Sequence, residues 1–200
     1  MSAFVLLILI LTTILTVAQV CITNKVFVHQ NTSGQNNQQM MPKENITSDS
    51  NSVEKSGDIE VKGTDETLTA NYATSESDKS VILVENCGSL TLDGAEVSKT
   101  GGDSSNTENS EFYGVNSGIL VTENSTATIK NTTINTNAKG SNAVFSTGTD
   151  SKIYISNSTI TTTGSSSSRG LDATYGGYIE ADNVKITTQG GSCATLATDR

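Results

Sequence analysis

The sequence predicts an all-β chain folded as a parallel β-helix of about four to five coils, and three observations carry that prediction. One phrase recurs: "TIKNTTINT" at Thr128 to Thr136, "YISNSTITT" at Tyr154 to Thr162, and a looser "EADNVKITT" at Glu180 to Thr188, each twenty-six residues after the last. One column of the repeat holds Gly94, Asn131, Asn157 and Asn183, the two residue types that enter the left-handed backbone region at least cost. Within each copy the apolar residues alternate with a period of 2, the signature of a half-buried strand. A single coil of this kind cannot bury its apolar face; stacked neighbours bury it together.

Before the repeat lie two other stretches. Ala3 to Ile22 (AFVLLILILTTILTVAQVCI) is an apolar run interrupted only by Thr12, Thr13, Thr16 and Gln19, long enough for a bilayer, which needs roughly 20 residues. No Lys or Arg precedes it, and Val20 stands where a lipoprotein cleavage site at Cys21 would need a small residue. Residues 1–22 are therefore read as a helical signal peptide or membrane anchor, and either one sends the rest of the chain outside. Residues 23–56 are rich in Asn, Gln and Ser, contain the single Pro (Pro42) and show neither periodicity; they are read as a disordered polar linker. His29 lies there without acidic or thiol neighbours and is given no role.

Residues 57–200 form the predicted β-helix domain. Leu92, Ile129, Ile155 and Ala181 stand two places before the turn residue, and Val97, Ile134, Ile160 and Ile186 follow it; both columns are expected to point inward. A preceding strand reads "VILVE" (Val81–Glu85), "GILVT" (Gly118–Thr122), "AVFST" (Ala143–Thr147), "GLDAT" (Gly170–Thr174) and "ATLAT" (Ala194–Thr198). Its inward columns are expected to be Ile82, Ile119, Val144, Leu171 and Thr195, then Val84, Val121, Ser146, Ala173 and Ala197. Gly57 to Asp78 supplies an imperfect first coil or cap. The insertion "GGDSSNTENSEFYGVN" (Gly101–Asn116) lengthens the first interval and is expected to loop out of one corner. The sequence stops inside a repeat, so further coils are expected beyond Arg200.

Composition narrows function. The net charge of −9 and pI near 4.5 argue against nucleic acid and anionic lipid as partners, leaving membrane contact to residues 1–22. Leu83, Leu120, Phe145 and Leu196 make an apolar column that ought to face outward, interrupted by Asp172. Either the insertion covers it, with Phe112 and Tyr113 packed on top, or it is an exposed surface for a partner. Tyr154, Tyr175 and Tyr178 offer flat rings to sugars, unless they simply fill corners. The ligand-binding candidates are thus Phe145, Tyr154, Asp172, Tyr175 and Tyr178. The recurrent Thr136, Thr162 and Thr188 are read as β-propensity and cross-strand contacts rather than a surface hydroxyl array. Cys87 and Cys193 lie about four coils apart, roughly 19 Å at ~4.8 Å per strand, too far for a disulfide. No phosphate loop, Ser/His/Asp set or calcium nonapeptide is present.

The phrases "ENSEFYGVNSGILVT", "RGLDATYGGYIEADNVKITTQGG" and "CATLATDR" resemble a group of secreted bacterial and archaeal surface proteins, often called adhesin-like, over about Glu66 to Arg200. That resemblance implies a right-handed β-helix of the pectate-lyase-like class, a surface location and adhesion; the partner expected is a surface polysaccharide or a host or neighbour-cell protein. It supplies no active site and no cofactor. Enzymes of that class resemble one another in binding calcium through clustered carboxylates beside a proton-abstracting base; the nearest set here is Arg169, Asp172, Glu180, Asp182 and Lys185, which scatter over several turns and strands. The expectation is a non-catalytic surface protein. A structural spacer without ligand and a calcium-dependent polysaccharide lyase or hydrolase are the alternatives.

Overall fold

The computed structural model describes residues 53–199. The chain divides into two units, Met1–Ile46 and Thr47–Arg200, and everything below concerns the second. The signal or anchor at 1–22 and the linker as far as residue 52 lie outside the described residues.

Each of five coils contributes one strand to each of three parallel sheets, and a final strand adds a sixth to the first sheet. The first sheet stacks β1 (Gly57–Lys62), β4 (Ser80–Glu85), β7 (Ile119–Val121), β10 (Val144–Thr147), β13 (Leu171–Thr174) and β16 (Leu196–Asp199). The second stacks β2 (Asp65–Leu68), β5 (Ser89–Asp93), β8 (Thr126–Lys130), β11 (Lys152–Ser156) and β14 (Tyr178–Asp182). The third stacks β3 (Asn71–Thr74), β6 (Glu96–Lys99), β9 (Thr133–Thr136), β12 (Thr159–Thr162) and β15 (Lys185–Thr188). The result is a parallel β-solenoid of about five turns, and β1 to β3 complete its first coil.

Between the second and third sheets the chain turns on Gly94 (φ 68°), Asn131 (φ 51°), Asn157 (φ 48°) and Asn183 (φ 52°). Asparagine tolerates this region because its short amide bonds locally. Here the amides also bond along the stack: Asn131 Nδ2 donates to Asp93 Oδ1 at 2.7 Å and Asn183 Nδ2 to Asn157 Oδ1 at 2.8 Å. The same bend is thus made in register, coil after coil.

The core follows the inward columns. Leu92–Ile129–Ile155 and Val97–Ile134–Ile160 are paired strand to strand and buried. Ile82, Ile119, Val144 and Leu171 do the same in the first sheet. The last strand corrects the expected alignment. Leu171 pairs with Leu196, not Thr195, and Ala173 pairs with Thr198, not Ala197. A one-residue slip moves a whole strand's side chains to the other face, and this register keeps a large aliphatic residue in the inward column. Leu196 therefore leaves the outward stripe.

The interior also holds polar groups that fold back on the backbone. Thr136 and Thr162 are buried; their hydroxyls donate to Ser141 O at 2.9 Å and Ser168 O at 2.7 Å. Lys99, in the same column, is 1 % exposed, and its ammonium donates to the carbonyls of Glu76 and Lys79. Desolvation lowers its pKa to about 8, although the charges of Asp78, Glu76 and Asp58 pull it upward.

Candidate functional site

Two outward faces of the solenoid bear on function, and they are built differently. On the first sheet, Leu83, Leu120 and Phe145 stand in one outward column, continued by Asp172 and Ala197. The insertion covers this column. Its centre is a helix, α1 (Thr107–Tyr113), started by Asn106, whose side chain accepts from the N–H groups of Glu108 and Asn109, and ended by Gly114 at φ 71°. Gly114 is required there, since a Cβ would come within 2.5 Å of Phe145 Cδ1 and 2.6 Å of Leu120 Cδ1. The three apolar side chains form a buried cluster of their own.

The insertion is strapped to successive coils rather than left loose. Asp78 Oδ1 accepts from Ser105 N at 2.8 Å, Asp103 Oδ1 from Lys139 N at 2.9 Å, and Ser110 O from Asn142 Nδ2 at 2.9 Å. Burial works against ionisation of Asp78, but hydrogen bonds from Ser105 and Ser104 prevail and hold its carboxyl below the usual range. Further on, Glu111 Oε1 accepts from Ser167 Oγ at 2.6 Å and lies 3.8 Å from Arg169 Nη2. Thr174 Oγ1 donates to Phe112 O at 2.7 Å. The ring of Tyr113 stacks on Tyr175 with centroids 5.3 Å apart. Beneath, Arg169 Nη1 reaches the fully buried Asp172 Oδ2 at 2.7 Å.

These facts revise three ligand candidates. Phe145 and Asp172 are both 0 % exposed, because α1 closes over them, so neither side chain is at the surface where a ligand was expected to meet it. Tyr175 sits at a corner with φ 49° and is half-buried against Tyr113; it packs. The charged set considered for calcium is also pulled apart. Arg169 and Asp172 lie under the strap at the first sheet, Glu180 and Asp182 on β14 in the second, and Lys185 on β15 in the third. Among the described residues no three His, Cys, Asp or Glu side chains group as metal ligands. Cys193 carries a free thiol, so it is not bonded to Cys87.

Among the described residues, none covers the outward face of the second sheet, which is bare. Leu90, Leu92, Ala127, Ile129, Ile153 and Ile155 point in and are buried, leaving the alternate residues outside. One outward column runs Thr67, Thr91, Thr128, Tyr154, Glu180; its neighbour runs Asp65, Ser89, Thr126, Lys152, Tyr178. Tyr154 and Tyr178 are thus diagonal neighbours on adjacent strands, 39 % and 47 % exposed, with ring centroids 6.1 Å apart and planes at 59°. Tyr178 Oη donates to Glu180 Oε2 at 3.1 Å, and that bond raises the phenol's pKa and keeps it protonated. Leu196, the remaining large exposed apolar side chain among those described, belongs elsewhere: it borders an apolar cavity of about 380 Å³ at the β14–β16 end with Leu171, Ile179 and Ala181.

Sequence reasoning missed three features. The helix within the insertion was signalled by Asn106 and Gly114 at its two ends. The partnership of Glu111 with Ser167 and Arg169, more than fifty residues away in sequence, had no local signal. The interior Lys99 broke the expected inward pattern. No family model, curated protein or solved structure matches the chain, so the functional reading rests on this geometry.

Proposed function

We propose that this chain is a non-catalytic, adhesin-like β-helix, secreted or held at the cell surface, that presents the bare face of its second sheet to a partner or polysaccharide. The observation that carries this reading is the contrast in exposure. Outward apolar side chains of the first sheet are covered by a dedicated strap, whereas Tyr154 and Tyr178 are left side by side in solvent. Exposed aromatics with an apolar body and a polar tip are economical recognition elements. The apolar Ala3–Ile22 segment supports delivery to the outside, as signal or as anchor.

A spacer role is the second reading, and the strap is the observation that favours it. Its bonds to residues from Asp78 to Tyr175 tie successive coils together and suit a rod that carries load. A broad glycan array, probed with the full chain with and without calcium, separates the two. Saturable binding that Tyr178→Ala abolishes supports the recognition reading. A folded monomer that binds nothing supports the spacer.

A further inference from the structure

The bare face carries enough chemistry to define a ligand class, on the premise that this face is a binding surface. We propose that it holds an uncharged, hydroxyl-rich polysaccharide, a β-linked hexopyranose chain with mostly equatorial hydroxyls, laid along the solenoid axis. Such sugars carry C–H groups on both faces of the ring and hydroxyls around the rim. They need apolar plates beside neutral hydrogen-bonding groups, and the second sheet supplies both.

The plates are Tyr154 and Tyr178. Their rings are inclined at 59° to each other, 6.1 Å apart, so they do not form one flat table. They suit consecutive sugars of a chain whose units are rotated about its axis. Below Tyr154 the same column continues as Thr128, Thr91 and Thr67, with Thr126 and Ser89 alongside. These hydroxyls recur at about 4.8 Å per strand, close to the advance of one hexopyranose in an extended β-linked chain, and each both donates and accepts. The columns run along the stack, which sets the ligand's direction.

Charge selects within the sugars. Asp65, Glu180 and Lys152 stand at or near the ends of these columns, and Asp93, Lys130 and Asp182 stand in the next column beside them, four acidic groups against two basic ones; the chain as a whole carries −9. An acidic surround of this kind disfavours uronates and sulfated glycans. A neutral chain meets no such penalty, and Glu180 Oε2, which already accepts from Tyr178, has capacity to accept a sugar hydroxyl too.

The test is calorimetric titration of the full chain, in a detergent without a sugar headgroup, with cellohexaose, mannohexaose and an oligogalacturonate of equal length. The expected result is saturable binding of a neutral hexasaccharide and none of the uronate. Tyr154→Ala and Tyr178→Ala should each weaken binding at least about tenfold, a change of ~1.4 kcal/mol, while Tyr154→Phe stays close to wild type. Both rings are exposed, and thermal unfolding of each variant verifies that the fold is kept. Preference for the uronate, still sensitive to the tyrosines, overturns the ligand class and leaves the face as a binding surface. Binding of none of the three, or binding indifferent to both Ala variants, overturns the glycan assignment of the face itself.

Discussion

The first and second sheets are both built from parallel strands contributed by the same coils, yet their outward faces have opposite fates. One bears Leu83, Leu120 and Phe145 and is sealed under α1; the other bears Thr67, Thr91, Thr128, Tyr154 and Tyr178 and stays open. An apolar column on a solenoid must be covered or it becomes a site of association. A column of hydroxyls needs no cover. The difference teaches that exposure of the two tyrosines is not forced by the architecture: a strap was available to this fold and was spent on the other face.

The largest effect that would break this comparison is at Phe145. Phe145→Ala should cost about 3–5 kcal/mol in urea unfolding, because it empties a buried site between strand and strap. A cost under about 1 kcal/mol would mean that the strap does not seal the face. Next comes Arg169→Ala, which strips Asp172 of its ion pair while leaving it fully buried; about 3 kcal/mol is expected. The double change Arg169→Met with Asp172→Leu extends the apolar column and should recover most of that loss.

A pH titration separates these covered-face effects from the interior. The pKa of Lys99 falls from 10.5 to about 8 on folding. Below pH 8 the lysine is protonated in both states and its desolvation cost is fully present. Between the folded and unfolded values the unfolded chain binds more protons, so stability rises with pH. The rise should be about 2 kcal/mol from roughly pH 8 to 9.5, and Lys99→Met should abolish it. An unchanged slope in that variant would contradict the assignment. The smallest effect is expected on the open face, where Tyr154→Ala should change stability by no more than about 0.5 kcal/mol.

Much of the fold is legible in the chain because a solenoid repeats its physics. Gly94, Asn131, Asn157 and Asn183 mark one bend four times, and alternation within each copy assigns the inward Leu, Ile and Val residues. The last strand defeats this reasoning. "ATLAT" offers little apolar pattern, so Thr195 and Leu196 compete for one column until packing against Leu171 decides. The candidate site is only partly legible. Tyr154 and Tyr178 can be placed on adjacent strands from the repeat alone. That Phe145 and Asp172 are closed off, and that Tyr175 packs against Tyr113, depends on contacts between the insertion and coils far along the chain, and no periodic signal encodes those. Thr136 and Thr162 show the same limit: a threonine reads alike whether its hydroxyl faces water or Ser141 O and Ser168 O.

Hydroxyl-radical footprinting of the full chain, read residue by residue by mass spectrometry with and without cellohexaose, tests the contrast between the two faces most directly. Tyr154 and Tyr178 should label rapidly and become protected when the sugar is added, while Leu83, Leu120 and Phe145 stay unlabelled throughout. Labelling of Leu120 and Phe145 at rates like those of the two tyrosines would contradict the account.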